Sequence, residues 1–464
     1  MKEALFTPKR YLICIILLVG TGGVLYGFDV GVISGALLLM QKTIALSNVA
    51  LEVIVGSVFG GSLVGTLIAG PLADKIGRRL VVTVAALTFI IGIFCVISAK
   101  AFLLLLIGRL LLGIGIGIVS VAVPLYALEL APTQHRGLCV SVFQLFLSSG
   151  IVLAFFIDML LIKSGNWHAM FEVVLVPAVI LLVGILFLPE SPRWLLINSK
   201  KDEAIAVLSR LHSSAEVKIE VEQLERSLKS NEGTWRDLFS KRLMIPLIVS
   251  VTIAILQQLT GINVILQYAP VMLKSAGFSS NYISMLGSVG IGLMNLIFTI
   301  VGMFLIDKVG RRPLLLVGVA GIVVSEVLLG FFQFLPMPLQ IKAVLSILGL
   351  LLFITSYAVG PGVAIWLVMS ELFPTHVRGK GLALCLFFNS LASTVASSLF
   401  YTLTDAITLG GVFWLAAFFS LCYFLTVKFG FVETSARSLE EIQEGFTSQE
   451  KARREKLCNM NTMK

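Results

Sequence analysis

Twelve apolar stretches of about twenty residues or more run through this chain, at 11–37, 48–73, 80–100, 103–128, 138–163, 168–188, 243–274, 281–306, 313–335, 341–370, 377–404 and 407–431. Twenty residues of α-helix cross the roughly 30 Å of hydrocarbon in a bilayer. No water reaches that depth to satisfy a backbone amide, so each stretch reads as a helix that bonds its own backbone. Composition agrees: 57% of the 464 residues are hydrophobic and 13% charged, which excludes an ordinary soluble protein. The third and fourth stretches, like the eleventh and twelfth, are joined by so few residues that each pair must form a tight antiparallel hairpin. The expected fold is an all-α membrane protein.

Two charged phrases each occur twice. Asp74-Lys75-Ile76-Gly77-Arg78-Arg79 returns as Asp307-Lys308-Val309-Gly310-Arg311-Arg312, and Glu129-Leu130-Ala131-Pro132 with Arg136-Gly137 returns as Glu371-Leu372-Phe373-Pro374 with Arg378-Gly379. The offsets, 233 and 242 residues, indicate one half copied in tandem. Two similar membrane halves facing each other are the construction of a carrier that rocks about a central site. The predicted organisation is a six-helix bundle over 1–190, an intracellular helical linker over 191–242, a second six-helix bundle over 243–431 and a cytoplasmic tail over 432–464. Within the linker, Ala204, Val207, Leu208 and Leu211, then Val217, Val221, Leu224 and Leu228, recur at helical spacing and predict short amphipathic helices.

Basic residues collect in alternate loops (Lys75, Arg78, Arg79; Arg136; Lys308, Arg311, Arg312; Arg378, Lys380) and in the linker, whereas the opposite loops hold little beyond Lys42, Lys100, Lys163, Lys274 and Lys342. The positive-inside rule then makes this a multi-pass protein of the cytoplasmic membrane with both termini cytoplasmic. It also accounts for the net charge of +9 without a nucleic-acid partner. Lys2, Lys9 and Arg10 ahead of an apolar run resemble a secretory leader, but no small-residue cleavage site follows, so the run reads as a retained first helix. Six cysteines show no paired spacing and four scattered histidines no metal cluster. Neither polar segment carries a phosphate loop or nucleophile motif, so no cofactor and no ATP-driven pumping are expected.

Glycines crowd the first stretch (Gly22, Gly23, Gly27, Gly31, Gly35) and the fourth (Gly113, Gly115, Gly117), where small residues let helices approach closely. Gly360-Pro361-Gly362 in the tenth removes an amide and breaks a helix at membrane depth, which survives only where backbone lines a cavity or is buried in protein.

Gly70-Pro71-Leu72-Ala73-Asp74 through Arg79, Pro189-Glu190-Ser191-Pro192-Arg193, Gln257-Gln258-Leu259-Thr260-Gly261-Ile262-Asn263 and the repeated Glu…Arg-Gly phrases together resemble the sugar porter family of the major facilitator superfamily, over residues 10–435 or so. That resemblance implies twelve transmembrane helices in two pseudo-symmetric six-helix bundles and a sugar cargo. Bacterial sugar/proton symporters and animal glucose carriers both belong there.

Asp29 lies deep in the first stretch with no charge near it in sequence. An ionised carboxylate there costs several kcal/mol unless paired or watered, which makes it a functional candidate. The one comparably deep base in this half is Arg109, so the two are expected to pair when Asp29 is ionised and to part when it is protonated. Burial favours the neutral acid and a guanidinium the charged one, and moving between those settings gives a proton-binding switch. A static structural pair is the alternative. The resemblance favours the switch, because proton-coupled members carry Asp here and facilitative glucose carriers do not.

Gln144, Gln257, Gln258, Asn263, Asn295 and Asn389 are amides inside apolar stretches. Amides offer donors and acceptors without charge, which suits a neutral polyol, although each alone can equally bond helix to helix. Tyr26, Tyr268, Tyr357 and Trp366 can supply flat apolar faces for a sugar ring. In a straight helix Gln257 and Asn263 point about 240° apart, so Gly261 must loosen the seventh stretch if both reach one ligand. Against the family pattern, Ile151 stands where a second glutamine is frequent, Gln267-Tyr268 where Tyr-Tyr is usual, and Ser390 where many members place Trp. Xylose or glucose specificity is therefore not carried over.

Asp74, Arg78, Glu129, Arg136 and Glu190 in one half, with Asp307, Arg311, Glu371 and Arg378 in the other, put opposite charges at the inner helix ends. The resemblance implies a cytoplasmic gate whose pairs bridge helices when the carrier faces outward and separate when it faces inward. The reading that follows is a monomeric secondary transporter of a monosaccharide or related polyol, coupled to protons. The rivals are an uncoupled facilitator and a non-transporting sensor on the same scaffold; no convergent nucleophile, base and orienting group argues for an enzyme.

Overall fold

The computed structural model describes residues 8–433 apart from 45, 132–135, 211–213, 230–232, 242, 279 and 375. Among the described residues, twelve helices are long and apolar enough to cross a membrane. The first half comprises α1 (Pro8–Thr43), α2 (Asn48–Ile76), α3 (Arg78–Ile97), α4 (Phe102–Leu130), α5 (Arg136–Leu161) and a sixth span made of α6 (Trp167–Val173) and α7 (Leu175–Phe187). Short helices follow, α8 (Pro192–Ile197), α9 (Lys201–Leu208), α10 (Ser214–Lys229) and α11 (Trp235–Leu238). The second half has α12 (Met244–Leu259) with α13 (Ile262–Ser275), α14 (Asn281–Val309), α15 (Arg311–Phe334), α16 (Leu339–Val359) with α17 (Pro361–Glu371), α18 (Arg378–Ser397) and α19 (Phe400–Gly430). Of the sequence expectation for the tail, all beyond residue 433 lies outside the described residues.

The duplication is visible in how helices begin and end. Ser47 accepts from the Ala50 amide at 3.1 Å and starts α2; Ser280, 233 residues on, accepts from Ile283 at 3.2 Å and starts α14. Both helices stop at a glycine of positive φ, Gly77 at 95° and Gly310 at 94°, a backbone state that a residue with a Cβ rarely adopts. The turn made there launches α3 and α15.

Packing within the first half uses the glycines as expected. A Cβ on Gly113 or Gly117 of α4 would run into the Val58 or Ser62 carbonyl oxygen of α2, and one on Gly27 of α1 would strike the Leu147 carbonyl of α5. In lipid such close approach supplies the dispersion contact that a hydrophobic effect cannot. Across the halves α2 packs on α18, α5 on α14 and α1 on α13. The Gly-Pro-Gly break is real: α16 ends at Val359, Gly360 is non-helical at φ −97° and ψ −95°, and α17 restarts on Pro361.

One boundary differs from expectation. The eleventh stretch is expected to end at 404 and the twelfth to begin at 407, yet the hairpin turn falls at Ser398 and Leu399, and residues 400–407 are helical up to a kink at Thr408. The Thr404 hydroxyl bonds back to the Phe400 carbonyl at 2.7 Å, so its polarity is absorbed within the helix.

Gly113→Leu should destabilise the purified protein by about 1–3 kcal/mol or more through overpacking against α2, read as a lower unfolding temperature in detergent. Gly290→Ala, at a position with open space beyond it, should leave that temperature unchanged or raise it.

Candidate functional site

The seventh span breaks where the sequence demands it. Gly261 sits in the left-handed region at φ 79° and ψ 16°, between α12 and α13. The break turns Asn263 back toward the preceding helix, where its Nδ2 donates to Gln258 Oε1 and to Ser393 Oγ, each at 2.8 Å. Gln258 Nε2 in turn donates to Asn389 Oδ1 at 3.1 Å. Asn389 Nδ2 donates to Gln257 Oε1 at 2.8 Å and to the Ala254 carbonyl at 2.9 Å, and Gln257 Nε2 reaches the Tyr357 hydroxyl. Five predicted residues thus form one hydrogen-bonded cluster on α12, α13, α16 and α18. It is uncharged, buried or half-buried and rich in both donors and acceptors, and Gln257 and Gln258 each spend only one amide hydrogen within it.

The remaining candidates divide. Tyr26 lies half-buried on α1, one turn before Asp29. Gln144 on α5, Asn295 on α14 and Trp366 on α17 are buried or half-buried but make no hydrogen bond to the cluster. Tyr268 is placed elsewhere: its ring stacks on Phe400 at 4.3 Å between centroids, meets Tyr401 edge-on at 5.4 Å, and its hydroxyl donates to the Ser397 carbonyl at 3.1 Å. Protein covers its faces. Ser393, which sequence reasoning missed, is one helical turn after Asn389, and that spacing was the available clue.

Asp29 and Arg109 meet. Arg109 Nη1 lies 3.1 Å from Asp29 Oδ1, both side chains are fully buried, and the guanidinium carbon stands 5.8 Å from the Phe171 ring centroid. Arg109 Nε also reaches the Ile54 carbonyl at 3.5 Å, while Asp29 Oδ2 and Arg109 Nη2 have no hydrogen-bond partner. The pair is joined by one bond rather than a fork, so little beyond the mutual charge holds it. Three further buried carboxyls escaped the sequence reading: Glu52, Asp158 and Glu326. Asp158 Oδ2 accepts from the Gly35 amide at 3.0 Å, joining α5 to α1. Each is a lone acid in an apolar run, the criterion that singled out Asp29.

At the basic end, Arg78 grips Glu129 through Nε at 2.9 Å and Nη2 at 3.1 Å, and pairs with Asp74 at 3.0 Å. Glu190 accepts from the backbone amides of Arg78 and Arg79 at 2.8 and 3.1 Å. The second half repeats the arrangement: Arg311 pairs with Asp307 at 3.0 Å and Glu371 at 3.3 Å, and the amides of Arg311 and Arg312 donate to Glu433 at 3.1 and 2.9 Å. Glu433 is the counterpart of Glu190, 243 residues later, hidden in sequence because Pro-Glu-Ser-Pro has become Val-Glu-Thr-Ser. Arg378 Nε donates to the Phe373 carbonyl at 3.3 Å, and the Arg136 side chain lies outside what is described.

These described pairs stay within one half. Contacts between halves occur at mid-span, where Ser148 and Thr299 hydroxyls are 3.5 Å apart, and toward the opposite end, where Lys163 Nζ stands 4.6 Å from the Tyr282 ring centroid and Thr402 bonds Glu52. Among the described residues, these inter-half contacts lie away from the basic phrases.

The family model described as "Sugar (and other) transporter" matches residues 14–446. The glucose transporter GlcP of Staphylococcus epidermidis is 37% identical over 436 residues, 94% of this chain and 97% of that protein. The galactose-proton symporter of Escherichia coli strain K12 is 31% identical over 439 residues, 94% of each. Among solved structures, the inward open conformation of the xylose transporter XylE from E. coli superposes with a TM-score of 0.81 at 26% identity, covering 93% of this chain and 99% of that one.

Removing one partner of a buried ion pair leaves an uncompensated charge, so Arg109→Leu should cost about 3–5 kcal/mol. Adding Asp29→Asn should recover most of that loss. Unfolding temperatures in detergent give the comparison, and a double variant no more stable than Arg109→Leu would refute the pairing.

Proposed function

Because this chain belongs to the sugar (and other) transporter family, we propose that it carries a monosaccharide or related polyol across the cytoplasmic membrane by alternating access, in symport with a proton. The observation that carries the cargo assignment is the uncharged cluster of Gln257, Gln258, Asn263, Asn389 and Tyr357 at a helix break. A sugar hydroxyl is both donor and acceptor, and this cluster offers both without an ion to desolvate. Gln144, Asn295, Trp366 and Tyr26 complete the site as the halves close on the ligand. Relatives named for glucose and for galactose with protons support the class of cargo and leave the individual sugar open.

Proton coupling rests on Asp29 and Arg109. In the conformation described, the guanidinium holds the carboxyl at 3.1 Å. Protonation of Asp29 cancels the charge that Arg109 needs, frees the arginine, and removes the reason for α1 and α4 to keep this relative position. Sugar and proton then favour the same rearrangement, which is the thermodynamic content of symport.

Basic residues orient the molecule with the repeated phrases, the linker and both termini in the cytoplasm. Contacts between the halves at the other end support an inward-facing reading of this conformation. Residues 1–190 and 243–431 are the bundles that move as a monomer's two arms, with 191–242 joining them and 432–464 as a cytoplasmic tail. The clusters around Arg78 and Arg311 act as the two sides of the cytoplasmic gate.

Gln258→Ala should weaken sugar affinity about tenfold, the scale of one or two lost hydrogen bonds at ~0.5–1.5 kcal/mol each; a thermal-shift panel of pentoses, hexoses and inositols on purified protein supplies the ligand, and unchanged affinity moves the site elsewhere. Asp29→Asn should abolish uphill accumulation in proteoliposomes while sparing counterflow exchange. Accumulation undiminished in that variant, or sugar addition that fails to alkalinise the medium around de-energised cells, would favour an uncoupled facilitator.

A further inference from the structure

Glu52 is 2% exposed, stands in the second turn of α2 and has no basic partner among the described residues. Its carboxylate is spent on the other half of the molecule. Oε2 accepts from the backbone amide of Thr402 at 3.0 Å, and Oε1 accepts from the Thr402 hydroxyl. Thr402 is the third residue of α19, whose first amides have no carbonyl of their own helix to bond. A carboxylate at a helix start satisfies such an amide and lies at the positive end of the helix dipole. Glu52 is therefore the N-terminal cap of α19, delivered from the opposite bundle.

The surroundings make this a closure contact. One turn on, Gly56 meets the turn between α18 and α19 so closely that a Cβ would collide with Ser398 Oγ. Phe400 and Tyr401, the two residues before Thr402, enclose the Tyr268 ring of α13, and the Tyr268 hydroxyl is bonded to Ser397. A helix start, an aromatic cluster and a tight seam converge at the end opposite the basic phrases. The contact is also one-sided. The 233-residue offset maps α2 onto α14 from Asn48 and Asn281 onward, and it sets Met285, not an acid, opposite Glu52.

We propose that Glu52 is a positioning residue of the transport cycle: by capping α19 across the seam it latches the outer end shut, and the bond must break for the carrier to face outward. This rests on the alternating-access reading and adds to it which contact biases the equilibrium. Loss of one charge-assisted hydrogen bond shifts such a balance roughly tenfold.

The test uses the full chain in a cysteine-free background with Ser398→Cys as the reporter, in cells, with a membrane-impermeant maleimide and no sugar. Glu52→Ala should raise the labelling rate about tenfold, Glu52→Gln by less, and Thr402→Val, which keeps the backbone bond, by a few-fold. Adding Thr402→Val to Glu52→Ala should produce no further rise, because the hydroxyl has then lost its acceptor. A lower unfolding temperature with unchanged labelling in both Glu52→Ala and Thr402→Val overturns the latch and leaves a merely structural contact. Where Glu52→Ala does not accumulate, the nearly isosteric Thr402→Val decides. Labelling needs neither the right sugar nor a proton gradient, so failure of those assignments leaves this result standing; a parent reporter that never labels counts instead against alternating access, and with it the latch.

Discussion

Every backbone amide and carbonyl at membrane depth must find a partner inside the protein, and this one constraint decides both the fold and where its chemistry is placed. Helices meet it automatically, so departures from helix are the informative places. At the seventh-span break Thr260 keeps its amide on the Leu256 carbonyl at 3.1 Å, its hydroxyl takes the Gln257 carbonyl at 2.7 Å, and Gly261 bonds Gln258 at 3.0 Å. Backbone satisfaction is thus restored locally. The amide side chains on either side of the break are left to face one another. The same reasoning covers Gly360, where Pro361 has no amide to orphan and the break is packed against Gly318 of α15.

Duplication supplied two copies of everything, and the copies have since specialised. The basic ends remain matched, down to a carboxylate over each helix-ending glycine: a Cβ at Gly77 would collide with Glu190, and one at Gly310 would come within 3.0 Å of Glu433. The amide cluster belongs to the second half alone. The Asp29–Arg109 pair belongs to the first, and α12 and α13 contain no acid nor α16 and α17 an arginine. Under the proposed function, the proton is held in the first bundle and the hydrogen-bonded amide cluster for the cargo lies in the second, with Tyr26 and Gln144 reaching it from the first, so coupling passes through the relative position of the bundles.

How much of this could be read from sequence follows the range of the interactions. Spans were legible because hydropathy and length act locally, and so was the bend at Gly261, because helical angle alone put Gln257 and Asn263 on different faces. The hairpin between α18 and α19 was misjudged because Thr404 satisfies its hydroxyl within its own turn, which composition does not reveal. Partners at long separation were illegible. Nothing near Glu52 foretells Thr402, 350 residues away, and Tyr268 reads as a free aromatic until Phe400 and Tyr401 are seen around it. Glu433 lies between: its place in the repeat was computable, but its surrounding phrase had drifted.

The arrangement of charge also explains how a carrier can switch with small energies. Arg78 and Arg311 each draw together carboxylates of their own half and, through Glu190 and Glu433, the start of the following helix. Such clusters stiffen each basic end as a unit. Under the proposed function, a stiff half can rotate without internal rearrangement, so that the two facing states differ mainly in contacts at the seams. One seam is a tight fit of α2 against the α18–α19 turn with the buried Glu52 carboxylate across it; another is α5 against α14, where the Ser148 and Thr299 hydroxyls meet. Exposed pairs are worth about 0–1 kcal/mol, and 1.4 kcal/mol already changes a population tenfold. Under the proposed function, a balance set by a few polar bonds across the described seams stays within the reach of a bound sugar and a proton, whereas a network of buried inter-half ion pairs would hold the molecule in one state.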